Sequence, residues 1–118
     1  PAYTTASGKA LLAALPDDSL AQLLPDPLPK VTPATPERAA LLEQLARIRA
    51  GTLAEEHDEL IEGMSSFAVV LDTYLGRYAI AVVAPSARAA TRSATFQQAL
   101  RACKQTVERA IGRATAQA

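Results

Sequence analysis

Twenty residues near the middle of the chain, SSFAVVLDTYLGRYAIAVVA from Ser65 to Ala84, limit the fold more than any others. Two runs rich in Val, Ile, Phe and Tyr flank Thr73-Tyr74-Leu75-Gly76, a short glycine-bearing link, and this pattern predicts an antiparallel β-hairpin. In the second run Tyr78, Ile80 and Val82 share one face while Ala79, Ala81 and Val83 share the other. Both faces are apolar, so both are expected to be covered, by helices on one side and by a pocket or partner on the other.

The flanking sequence supplies those helices. Ala6 to Leu15 carries a helical pattern ended by Pro16, with Thr5 or Ser7 as N-cap. A short helix over 19–24 follows Asp17-Asp18, and Pro25 opens PDPLPKVTPATP, which holds five of the eight prolines and reads as an extended surface connection. Thr35-Pro36 is the expected start of a helix over 36–50, with Leu41, Leu42, Leu45 and Ile48 on one face and Gly51 at its exit. A short strand is expected near 52–56. Phe96, Leu100, Cys103, Val107 and Ile111 recur at helical spacing, predicting an amphipathic helix over 94–111 with Cys103 as a packed thiol. The tail from Gly112 to Ala118 loses the pattern and is expected to fray. The order implies an α+β fold with an antiparallel sheet, residues 1–118 forming one domain.

Charge excludes several functions. Twelve basic residues balance 12 acidic ones, so the chain has no electrostatic footprint for nucleic acid or an anionic membrane. One histidine and one cysteine give no metal-ligand spacing and no internal disulfide, so neither a metal nor another cofactor is expected, and a cytoplasmic setting follows. No apolar run approaches the roughly 20 residues of a membrane-spanning helix.

Two clusters carry possible chemistry. Ser7-Gly8-Lys9 imitates part of a phosphate-binding loop, but Tyr3 stands where the first glycine belongs and Ala10 where a hydroxyl would bind magnesium. What remains is a helix start, whose unpaired N–H groups at Ala6 and Ser7 can face a small anion. Gly8 is expected to permit close approach there, and Lys9 to point to solvent or a partner. The acidic run Glu55-Glu56-His57-Asp58-Glu59 reads as a solvated loop, since a lone histidine cannot complete a nucleophilic triad convincingly.

Taken together, TTASGKALLAAL, EEHDELIEGMSSFAVVL and RYAIAVVAPSAR fall in the order of blocks found in one family. The chain resembles the effector-binding domain of the IclR family of bacterial transcriptional regulators. That resemblance implies part of a GAF-like domain, not an enzyme, with the front strands and a DNA-binding winged helix-turn-helix lying outside this chain. It also implies a small-molecule effector, a homodimer or homotetramer, contact with DNA only through the missing module, and no membrane.

The family's pocket, carried over by motif, falls on Thr5, Ala6 and Ser7 at the helix start, Glu56 at the acidic position, Ser66 where relatives carry cysteine, and Ala81 and Val83 where small-acid binders carry serines. With alanine and valine there, a tiny charged acid would leave hydrogen bonds unmade. The implied effector is therefore a partly apolar carboxylate, its acid end at Ala6-Ser7 and its body against Ala81, Val83 and Phe67 or Ala68. Two other readings stand beside it: an oligomerisation module without a ligand, and a small enzyme using the acidic run.

Overall fold

In the computed structural model, which describes residues 1–112, a single 3-10 turn (Ala2–Thr4) leads into α1 (Ala6–Ala13), α2 (Asp17–Leu23) and α3 (Arg38–Arg49). Three strands follow, β1 (Ala54–His57), β2 (Met64–Thr73) and β3 (Gly76–Pro85), and then the long α4 (Ser86–Ile111). The strands form one antiparallel sheet in the order β1-β2-β3. The expected α+β architecture and hairpin are present. The tail 113–118 lies outside the described residues.

Register sorts the sheet into two faces. Phe67, Val69 and Leu71 on β2 lie beside Val82, Ile80 and Tyr78 on β3, and this face packs on α4 through Ala89, Phe96 and Leu100. On the opposite face Ser66 and Ala68 align with Glu56 and Ala54 on β1, and with Val83 and Ala81 on β3. There α1 sits against the sheet through Ala6 and Ala10, which meet Ala54 and Ala68. Four alanines, all at most 1% exposed, let the helix approach closely. A second core fills the space among α1, α2 and α3, where Leu12, Leu20, Leu41 and Leu45 interlock.

Several details differ from the sequence reading. Both faces of the hairpin were expected to be covered, yet Ala81 is exposed and Val83 and Tyr78 are 63% and 53% exposed, because β3 is an edge strand. The 94–111 helix begins eight residues early, at Ser86. Its first two turns are polar and alanine-rich and bury only Ala89, so they show no apolar stripe. Cys103 is only half-buried.

Thr35 does not cap α3, which starts at Arg38 after Glu37. Instead the Thr35 hydroxyl accepts from the Val31 and Thr32 amides and donates to the Glu59 carbonyl. The proline-rich connection is therefore tied down, and it buries Leu28 as well as Thr35.

Candidate functional site

The start of α1 is built by its own residues. Thr5 has extended backbone, and its hydroxyl accepts from the Gly8 amide at 2.9 Å, a side-chain N-cap. Gly8 is required by close approach, as expected: a Cβ there would lie 2.0 Å from the Ala2 carbonyl oxygen, inside the preceding turn. With α1 pressed on the sheet, the Ala6 amide reaches across to Ser66 Oγ at 3.3 Å. One of the two donors assigned to an effector thus already has a protein partner, whereas Ser7 lies at the cavity wall described below.

From Ser66 a polar chain runs inward. Ser66 Oγ donates to Glu56 Oε1 at 2.9 Å, and Glu56 Oε2 accepts from the Glu59 amide at 3.2 Å. The Glu59 carboxylate in turn accepts from Lys9 Nζ at 2.6 Å and from the His57 amide at 3.0 Å. Lys9 corrects the sequence reading outright. Its side chain is 0% exposed, and its ammonium also donates to Gln44 Oε1 and the Glu55 carbonyl, so all three donors are satisfied. Nor is the acidic run a solvated loop. It forms β1 and the turn after it, with Glu56 and Glu59 buried, His57 exposed, and Glu55 and Asp58 partly so.

These contacts frame a cavity of about 180 Å3 on the α1 side of the sheet. Its walls include Thr5, Ser7, Glu56, Ser66, Ala81 and Val83, six of the seven residues singled out from sequence, and Ala6 adjoins it through Ser66. Phe67 and Ala68 do not line it. Phe67 points to the α4 face, one residue out of phase with Ser66, and Ala68 is sealed beneath α1.

Leu60, Ile61 and Met64 supply the apolar wall that sequence reasoning missed. The only signal for them was an apolar pair inside an otherwise polar turn. That turn is braced: the Gly63 amide donates to Asp58 Oδ1, Thr32 Oγ1 to the Asp58 carbonyl, and Ser86 Oγ to Asp58 Oδ1 at 2.6 Å. The Ser86 hydroxyl, then the Gly63 amide, hold the Asp58 carboxyl below its ordinary value of 3.8.

On the other face a second chain links Glu55 Oε1 to His57 Nε2 and His57 Nδ1 to Ser65 Oγ, at 3.0 and 3.1 Å. Acid, imidazole and hydroxyl stand in the order a nucleophilic triad requires. However, Ser65 is 0% exposed and its oxygen also pairs with Ser86 Oγ, so no substrate can reach it. The arrangement ties β1, β2 and α4 together. Among the described residues no group of His, Cys, Asp and Glu could hold a metal ion, and no helix is long and apolar enough to cross a membrane.

Comparison with known proteins bears on the family and the fold. Residues 1–109 match the family described as bacterial transcriptional regulator IclR C-terminal. The HTH-type transcriptional regulator TtgV of Pseudomonas putida is 49% identical over 118 residues, covering 100% of this chain and 46% of that protein. The chain thus spans less than half the length of that relative. Among solved structures, the Agrobacterium tumefaciens repressor BlcR superposes with a TM-score of 0.83 at 26% identity, covering 96% of this chain and 47% of that one. The C-terminal domain of the E. coli transcriptional regulator KdgR gives 0.80 at 26%, covering 95% and 71%.

Proposed function

Because the chain belongs to the IclR family of bacterial transcriptional regulators, as its C-terminal domain, we propose that its cavity senses a small, partly apolar effector and passes that signal to a DNA-binding module of the parent protein. The observation that carries this reading is the convergence of Thr5, Ser7, Glu56, Ser66, Ala81 and Val83, drawn from α1, β1, β2 and β3, on one cavity. The effector acts by its differential affinity for conformations of the domain. In this reading residues 1–118 are part of one effector-binding domain working as a homodimer or homotetramer in the cytoplasm, and DNA is reached through a helix-turn-helix outside this chain.

Leu60, Ile61, Met64, Ala81 and Val83 suit an aromatic or aliphatic body. The polar end meets Ser7, Ser66 and the Glu56 carboxylate. Lys9 offsets Glu59, so Glu56 has no cation of its own among the described ion pairs. A second bare carboxylate beside it would be repelled. The organic acid this site suits therefore enters carrying its proton, able to donate to Glu56; a hydroxyl end satisfies the same geometry.

Thermal shift and calorimetry with benzoic acid, benzyl alcohol and toluene test this. Benzyl alcohol should stabilise the domain, benzoic acid should do so increasingly as pH falls, and toluene should do so least, since ligands that bind only the native state raise its stability. Val83→Trp, which fills the cavity, should remove the response. Stabilisation by glyoxylate, with none by the aromatic probes, would refute the proposal.

A second reading, an oligomerisation module without a ligand, draws on the exposed edge of β3 with Tyr78 and Val83. It requires concentration-dependent stability and no ligand response.

A further inference from the structure

A second cavity, of about 280 Å3, lies between α2 and α3, away from the proposed effector site. Leu20, Leu42, Leu45 and Ala46 make it predominantly apolar, and its charged residues are Asp17, Arg38 and Arg49. The two arginines differ. Arg49 is fully engaged: its Nε donates to the Ala13 carbonyl, Nη1 to Asp17 Oδ1 at 3.1 Å and Nη2 to the Leu15 carbonyl. That fork closes the ends of α1 and α2 onto α3 and neutralises Asp17.

Arg38 has no such partner. Its Nε is buried without an acceptor, and it enters no ion pair among the described residues. A buried ionised donor without an acceptor costs free energy, and native interiors rarely tolerate one. Its position worsens the cost, because Arg38 opens α3 and its charge stands at the positive end of the helix dipole. Of the three charges at the cavity, two cancel, and Arg38, a partly exposed residue of whose nitrogens only Nε is buried, is left without a counter-charge beside an apolar cleft.

We propose that this cavity is a second ligand site, taking a short aliphatic monocarboxylate whose acid end pairs with Arg38 and whose chain lies against Leu20, Leu42 and Leu45. A planar guanidinium matches a carboxylate better than any neutral head group. At about 280 Å3 the space is just below the usual range of small-molecule pockets, which suits a chain of about six carbons. The site shares no residue with the effector cavity, so it stands or falls independently of the function proposed above.

Sodium hexanoate and 1-hexanol, titrated into nitrogen-15-labelled protein and followed by amide chemical shifts, separate the outcomes. Hexanoate should shift amides of α2 and α3 saturably, and hexanol should bind there about tenfold more weakly because it lacks the charge-assisted pair. Arg38→Gln should weaken hexanoate by about tenfold or more without unfolding the chain, as it removes an unpaired group. Leu42→Trp should fill the cleft and abolish saturation, while Val83→Trp should leave hexanoate binding unchanged. Absence of saturable shifts in α2 and α3, unchanged affinity in Arg38→Gln, or shifts centred on Ser66 and lost in Val83→Trp would each overturn the proposal.

Discussion

Replacing Lys9 with methionine isolates the buried ion pair that lies behind the cavity lined by Glu56 and Ser66. The side chains are nearly isosteric, so packing against α3 and β1 is conserved while the ammonium is deleted. In the native protein that ammonium is 0% exposed and serves three acceptors, Glu59 at 2.6 Å, Gln44 at 2.7 Å and the Glu55 carbonyl at 3.0 Å. Its removal leaves a Glu59 side chain that is 10% exposed with no cation and only the His57 amide as donor. Breaking one side of a buried pair costs about 3–5 kcal/mol, because the remaining charge is stranded. That is a large part of the roughly 5–15 kcal/mol of a typical domain, and at about 4 °C per kcal/mol it lowers Tm by roughly 12–20 °C. Urea unfolding of the wild type, Lys9→Met, Glu59→Gln and the double variant completes a cycle. The double variant should be more stable than the sum of the single losses predicts, by about 2 kcal/mol, since neither charge is then left alone. A loss below about 1 kcal/mol in Lys9→Met, with additive behaviour in the cycle, would refute the argument that burial and pairing of Lys9 hold this region together.

Two further outcomes follow from contacts elsewhere in the structure. Gly8→Ala should destabilise the domain, against the gain of about 1 kcal/mol that helix propensity alone predicts, because the added Cβ meets the Ala2 backbone at 2.0 and 2.6 Å; equal or greater stability on urea unfolding would contradict this. The Asp58 carboxyl, held below 3.8 chiefly by the Ser86 hydroxyl, should titrate below the normal range by carboxyl NMR, and Ser86→Ala should raise its midpoint. A depressed folded-state value means that its contribution to stability is present above the unfolded value of about 3.9 and is lost as pH falls through the folded one. An unchanged midpoint in Ser86→Ala would show that the 2.6 Å hydrogen bond is not the cause.

Local chemistry in the sequence determined most of the elements, and the family resemblance pointed to residues that line one cavity. Alternating apolar residues around Thr73–Gly76 specified the hairpin, Thr5 and Gly8 specified the helix start, and the motif order placed six residues that the folded chain brings to one cavity. These features were legible because each depends on neighbours a few residues away, or on a pattern shared with relatives. Burial of charge was not legible. Lys9 meets Gln44 and Glu59, which are 35 and 50 residues distant, and Thr35 meets Glu59 across 24, so no periodicity marks them as inward.

The tertiary structure also decided which side of each alternating strand became the pocket. Ser66 and Phe67 are adjacent in sequence and equally plausible as wall residues, but α4 covers one face and α1 only part of the other. A charged or polar side chain can leave water only where folding delivers partners for its hydrogen bonds and charge. Those partners come from separate elements, and only the packed chain assembles them.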